Sequence, residues 1–298
     1  MRRALPMLVL LAAALPFAVG SAFLLNLATL AALSAALAQA WNISGGFGGL
    51  TSFGHVAFFG LGAYAAALLQ LRLGWNAWLG LPVAALAGGL AGWVIGLCAF
   101  RAGLRGSYFA LVTLAVAEIF RIGATSLEVT GGGSGVLLKL APGVGNFQFT
   151  DRRLSYAASL ALLALATAIV RWLMGSRFGA RLVAIRENED AARALGVGSV
   201  RVKAQALALS GALTALGGVL YVQSTLYLDP GIAFAPDRSV EMLLVVMVGG
   251  AGTVWGPILG AIVLHALADT TRIFIPTPGF APMLYGVVLL LIVRWRRA

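Results

Sequence analysis

Between Arg3 and Arg72 the chain carries no charged residue. Ordinary soluble domains are about 25% charged, whereas a membrane span needs about 20 consecutive apolar residues. The uncharged run therefore holds about three spans. The remainder keeps the same character, with 60% hydrophobic and only 10% charged residues over 298 positions. The apolar runs are continuous rather than alternating, which argues against a closed barrel of strands and predicts an all-α polytopic membrane protein.

Charge is concentrated where it sets orientation. Residues 171–203 carry Arg171, Arg177, Arg181, Arg186, Arg193, Arg201 and Lys203 with Glu187, Glu189 and Asp190. Basic connections stay on the cytoplasmic side of a bacterial-type membrane, so this stretch is expected to be a cytoplasmic loop. Within it, Asn188-Glu189-Asp190 predicts the start of a short helix over 187–195, its acidic first turn suited to the helix dipole and Gly196 its stop. From a cytoplasmic Arg2-Arg3, the expected segments are 4–20, 22–41, one opening at Asn42 and running to Leu71, 78–100, 107–122 and 154–173. After Lys203 come 204–228, 239–248, 256–268 and 283–293. These make about ten segments, some broken or short, in a single transmembrane domain spanning 1–298 with both termini cytoplasmic. Residues 123–153, rich in glycine and with Pro142, become an external loop. About 14 of the 21 Lys and Arg then lie inside. The net charge of +11 does not signal nucleic acid, because the basic residues flank apolar segments; topology and contact with membrane lipid account for it. Segment 4–20 behind Arg2-Arg3 has the look of a signal peptide, but hydrophobicity never yields to a soluble domain, so it is read as retained. Cys98 is the only cysteine and is read as a small core side chain.

Two glycine-rich stretches share a local pattern. Gly48-Gly49-Leu50-Thr51-Ser52-Phe53-Gly54 and Gly249-Gly250-Ala251-Gly252-Thr253-Val254-Trp255-Gly256 each run from a glycine pair through Thr-x-aromatic-Gly into an apolar segment. Interrupted segments in two halves of a transporter point to its pathway, while close helix contact is the plainer explanation. The candidate pathway or break residues are Gly45, Gly46, Gly48, Gly49, Ser52, Gly54, His55, Gly249, Gly250, Gly252 and Thr253. His55 is either a pathway group or an interhelical hydrogen bond that holds the break. Glu118 and Arg121 are spaced to pair on one helix. His265, Asp269 and Arg272 form a polar stripe, and without further Cys or His no metal site is expected. No catalytic motif and no Gly-x-x-x-x-Gly-Lys-Ser/Thr phosphate loop is present, so neither a cofactor nor an ATP site of its own is expected.

Trp41-Asn42-Ile43-Ser44-Gly45-Gly46-Phe47-Gly48-Gly49, followed by Ser52-Phe53-Gly54-His55 and on to Tyr64, resembles the first signature of the branched-chain amino acid permease family of ABC importers. Gly106-Ser107-Tyr108-Phe109-Ala110-Leu111-Val112-Thr113-Leu114 through Glu118-Ile119-Phe120, then Thr130-Gly131-Gly132, resembles its M-type subunits. Ser176-Arg177-Phe178-Gly179-Ala180-Arg181 through Val197 resembles the family's ATPase-contacting loop. The resemblance implies a two-half permease that pairs with a second, similar permease subunit, two cytoplasmic ATPases and a periplasmic or extracellular substrate-binding protein, in the bacterial plasma membrane. It also implies that Ala184, Ile185, Arg186, Glu187, Asn188, Glu189, Asp190, Arg193 and Gly196 form the ATPase-coupling element. Related permeases carry urea and other small amides, so an amide importer is the alternative; an ion-coupled secondary transporter is disfavoured by the scarcity of intramembrane carboxylates.

Overall fold

The computed structural model describes residues 21–149, 151–274 and 283. The first expected segment (4–20), the last one beyond Met283 and the basic residues at both ends lie outside them. Long apolar helices dominate, because the hydrocarbon offers backbone N–H and C=O groups no water partner and only internal hydrogen bonding satisfies them. In chain order they are α1 (Ala22–Asn42), α2 (His55–Leu73), α3 (Ala77–Arg101), α4 (Gly106–Ser126), α5 (Arg152–Gly175), α6 (Arg177–Glu187), α7 (Glu189–Ala194), α8 (Ser199–Thr225), α9 (Pro230–Ala233), α10 (Pro236–Gly249) and α11 (Gly256–Phe274). Among the described residues, six helices (α1 to α5 and α8) are long and apolar enough to cross a membrane. The chain is thus an all-α, multi-pass membrane protein.

The most deeply embedded span is α8, and its partner α3 shows how it is held. Gly80, Ala84, Gly88, Gly92 and Gly96 recur at every fourth position of α3 and are buried. That spacing puts them on one face, and the backbones close to the point where a Cβ on Gly92 would stand 2.6 Å from the Leu207 carbonyl of α8. Close approach between small residues substitutes for the hydrophobic driving force that lipid removes. Cys98, expected in the core, lies instead on the exposed side of α3.

Two faces are distinguishable by their contacts. On one, Arg105 between α3 and α4 pairs with Glu189 and Asp190 of α7; this is the basic face. On the other, Trp78 Nε1 donates to the Val144 carbonyl, and β1 (Val136–Leu137) pairs antiparallel with β2 (Tyr227–Leu228). The expected loop 123–153 is shorter than its bounds, since α4 extends to Ser126 and α5 begins at Arg152. It is also folded: Gln148 donates from Nε2 to the Lys139 carbonyl and accepts from the Ala141 N–H, while Leu138 and Phe147 are buried.

Helices α10 and α11 form an antiparallel pair. With 14 residues, α10 is about 21 Å long at about 1.5 Å per residue, short of a core about 30 Å thick. The turn 250–255 joins it to α11. Eight expected segments coincide with α1 to α5, α8, α10 and α11. Three boundaries move. The segment expected to open at Asn42 begins only at His55, because 43–47 continue α1 as a π-helical turn. The expected helix 187–195 is two helices meeting at Asn188, and residues 199–203 already belong to α8.

Candidate functional site

The sequence-predicted residues converge on one junction at the basic face, where α6, the end of α1 and the α10–α11 turn meet. Ser176 starts α6 by accepting the Gly179 N–H at 3.1 Å. Only three residues of α6 are buried, Gly179, Leu182 and Ile185, which is the one-sided pattern of a helix lying on a surface. Leu182 and Ile185 share an apolar cluster with Ile43 and Phe47 of the π turn and with Val170 and Leu173 of α5. Ala184 faces outward, its carbonyl accepting the Asn188 N–H.

Arg186 joins the three elements. Its Nη1 donates to the Gly46 carbonyl at 3.0 Å, while Glu187 Oε1 accepts from Nε at 3.0 Å and Nη2 at 2.6 Å, orienting the guanidinium. Gly49, at φ +65°, lies against the Arg186 stem, where an added Cβ would meet Cγ at 2.8 Å. On the other side Gln39, Asn42 and Gly46, which precede the first glycine stretch, meet the second. Asn42 Oδ1 accepts the Gly252 N–H at 2.9 Å, Asn42 Nδ2 donates to the Thr253 carbonyl at 2.9 Å, and Gln39 Nε2 donates to the Val254 carbonyl. Gly46 must lack a side chain, since a Cβ there would fall 2.6 Å from the Gly252 nitrogen. Gly45 packs over the Trp41 ring and Gly48 over Leu182. Thr253 caps α11, accepting the Gly256 N–H at 3.0 Å and donating to the Gly250 carbonyl at 2.8 Å. Gly249 sits where α10 crosses the start of α11.

A second part of the site is the buried latch around His55. The Ser210 hydroxyl donates to the Ala40 carbonyl at 2.6 Å, so it accepts from His55 Nε2 at 2.7 Å. Nδ1 then accepts from Ser52 at 3.1 Å, and Ser52 Oγ accepts the Gly54 N–H at 3.2 Å. Trp41 Nε1 donates to the Ser52 carbonyl, and the Val56 N–H donates to Ser239 of α10 at 2.9 Å. Ser210 lies about 16 Å along α8 from Ser199 at about 1.5 Å per residue, so these polar groups are well inside the span. His55, Ser52, Ser44 and Ser210 are all inaccessible. The imidazole is a fixed strut between α1, α2 and α8.

Around Glu189 a charge cluster fixes α7. Asn188 caps the helix by accepting the Asp190 and Ala191 N–H groups. Glu189 Oε1 receives Lys203 Nζ and Arg193 Nη2, each at 2.8 Å, and Oε2 lies 3.3 Å from Arg105 Nε. Lys203 is buried and lies 4.7 Å from the Phe100 ring centroid. Burial alone would raise the Glu189 carboxyl, but Lys203, the Ser199 hydroxyl and Arg105 outweigh it and hold it below the usual carboxylate range. Arg193 Nε donates to Ser199 at 2.7 Å, and Gly196, at φ +81°, ends the turn after α7. Asp190 points outward.

Several residues of this region escaped sequence reasoning. Gln39 and Asn42 are adjacent polar positions in an apolar run, at i and i+3, and that spacing was their signal. Glu241, the one carboxylate in the apolar run after Ser239, accepts from Ser34 of α1 at 2.8 Å and lies 3.4 Å from His265 of α11. Of the stripe expected with His265, the Asp269 and Arg272 side chains lie outside the described residues. The two described cavities, of about 300 and 440 Å³, sit toward the opposite face between α5, α8 and loop 138–149, and no residue of the glycine stretches lines them.

Small-residue helix packing, paired helix interruptions beside a surface helix pair and six helices long and apolar enough to cross define a polytopic membrane protein. The family described as branched-chain amino acid transport system, permease component, matches residues 23–293, and the chain belongs to it. The high-affinity branched-chain amino acid transport system permease protein LivM of Escherichia coli (strain K12) is 30% identical, over 97% of this chain and 72% of the relative. A probable branched-chain amino acid transport permease protein LivM of Methanocaldococcus jannaschii is 26% identical, over 84% of this chain and 79% of its own length. The autoinducer 2 import system permease protein LsrC of Yersinia pseudotuberculosis is 28% identical over 48% of this chain and 40% of its own. No solved structure matches.

Proposed function

We propose that the chain is one of the two permease subunits of an ATP-driven importer of branched-chain amino acids, held in a bacterial plasma membrane with its basic face and both termini in the cytoplasm. Its partners are a second, similar permease subunit, two cytoplasmic ATPases that hydrolyse the ATP, and an external substrate-binding protein. Helices α6 and α7 dock on an ATPase. The observation that carries this reading is the reach of Arg186 from the end of α6 to the Gly46 carbonyl beside Gly252. A rigid displacement of α6 by the ATPase is delivered through that contact to both glycine stretches, which act as the hinges of the pathway. Ile185 and Leu182 supply the apolar grip, and the His55 latch confines the motion to the segments below it.

The test is uptake by the complete importer in proteoliposomes with ATP inside and the loaded binding protein outside. Accumulation of labelled leucine, isoleucine or valine that requires ATP supports the reading. Uptake of urea in their place assigns the chain to an amide importer, and uptake driven by an ion gradient without ATP contradicts the reading.

A further inference from the structure

Among the six crossing helices, α4 is the least covered, with 28% of its apolar window buried within the chain. It packs through Phe109, Ala110, Thr113, Ala117 and Ala124. The open side carries Leu111, Ala115, Ile119 and Ile122, and Glu118 and Arg121 stand partly exposed between it and the packing face. They pair with each other, Arg121 Nε donating to Glu118 Oε2 at 2.8 Å and Nη2 to Oε1, yet their side chains remain 43% and 38% exposed. Glu118 is eight residues from Ser126, about 12 Å from that helix end at about 1.5 Å per residue. Charged groups at such depth face a protein interior or water rather than hydrocarbon. The exposed face of α3 presents Leu86, Leu90 and Val94 with no charged residue at comparable depth, whereas α4 sets the charged pair beside exposed Leu111, Ile119 and Ile122.

We propose that the Glu118–Arg121 face of α4 lines the water-filled substrate passage between this chain and the second permease subunit, and that the pair is a transit contact for the two charged groups of a zwitterionic amino acid. This rests on the transport reading above. Arg121 uses Nε and Nη2 on Glu118, so its Nη1 hydrogens are available to a carboxylate, while the carboxylate of Glu118 retains lone pairs for an ammonium group. The neighbouring α4 residues are apolar, which suits a branched side chain.

The experiment uses the assembled importer in membrane vesicles with Cys98→Ala as background. Ala115→Cys and Ile122→Cys place thiols on the same exposed face, about one helical turn to either side of Glu118, and Leu90→Cys on α3 is the comparison. A water-soluble, positively charged thiol reagent is expected to label the two α4 sites at least about tenfold faster than Leu90→Cys, because only a hydrated thiol ionises and reacts. Labelling at or below the Leu90→Cys rate overturns the passage. In the second arm, Glu118→Gln with Arg121→Gln is expected to lower leucine uptake at least about tenfold at equal membrane abundance, with labelling at Ala115→Cys retained. Undiminished uptake overturns the contact role. Both arms stand apart from the wild-type uptake assay, whose failure would refute the transport reading and leave the labelling result intact.

Discussion

Replacing Glu189 with alanine removes the one carboxylate that faces Lys203, Arg193 and Arg105 together. The Lys203 side chain is 4% exposed and that of Glu189 12%, so the change leaves a buried ammonium without its partner. Breaking a buried pair costs about 3–5 kcal/mol. Lys203 keeps its contact with the Phe100 ring in both forms, so that contact cancels and the expected loss stays at about 3–5 kcal/mol. At about 1.4 kcal/mol per factor of ten, opening of α7 becomes about 140 to 3,700 times more frequent. Asp190 is the control, because its pair with Arg105 is 76% and 52% exposed and such pairs contribute about 0–1 kcal/mol. Limited trypsin cleavage at Arg193, in the regime where cleavage follows the open population, reports the difference. Glu189→Ala should be cleaved at least about a hundred times faster, Asp190→Ala by less than about fivefold, and Glu189→Ala with Lys203→Met should recover most of the loss because no unpaired charge remains. Equal cleavage of the two single variants would refute the reasoning. The pH dependence has a definite sign. The folded Glu189 carboxyl sits below its ordinary value of 4.5, so its stabilisation is complete above that value and is lost only as pH falls through the lower folded value.

Three further outcomes follow from the same geometry. Gly49→Val forces a β-branched residue to φ +65° against the Arg186 stem and is expected to impair transport far more, at equal membrane abundance, than a comparable change in residues 160–168 of α5; similar uptake in both variants counts against a hinge. His55→Ala removes the strut between Ser52 and Ser210 and is expected to lower thermal stability in detergent by about 2–4 kcal/mol from the cavity and the unpaired hydroxyls, and an unchanged unfolding temperature would oppose the latch. For orientation, Ser134→Cys should label from outside intact cells and Leu195→Cys only after the membrane is opened; Ser199 is buried and unsuited to that purpose, and labelling of Leu195→Cys from outside would invert the topology.

The parts of the fold written in local chemistry were legible in the sequence. Long uncharged runs could only be crossing helices, and Asn188-Glu189-Asp190, with Gly196 beyond, read as the start and stop of a short helix because such signals act within a few residues. The end of α1 was misread because glycine runs mark an interruption without saying on which side the helix stops. Here Asn42 is held by Gly252 and Thr253, some 210 residues away in sequence, and no periodicity reports such a partner. The resemblance between the two glycine stretches was visible, but the contact of Asn42 and Gly46, just before the first, with Gly252 of the second was not, and their forms differ: the first is an irregular break that follows the π turn 43–47, the second a turn with positive φ at Gly250 and Gly252. Glu241 was overlooked for the same reason, since its partners Ser34 and His265 lie on other helices.

The account turns on Arg186 as the link between the surface helices and the glycine stretches, and Arg186→Gln isolates it. The variant keeps the apolar grip of Leu182 and Ile185, so assembly with the ATPases and ATP hydrolysis in the loaded complex should stay within about twofold of wild type, while leucine uptake per ATP falls at least about tenfold. Hydrolysis and uptake measured together on the same proteoliposomes decide the matter: loss of uptake with hydrolysis retained is the predicted result, and an unchanged ratio of uptake to hydrolysis would contradict the link.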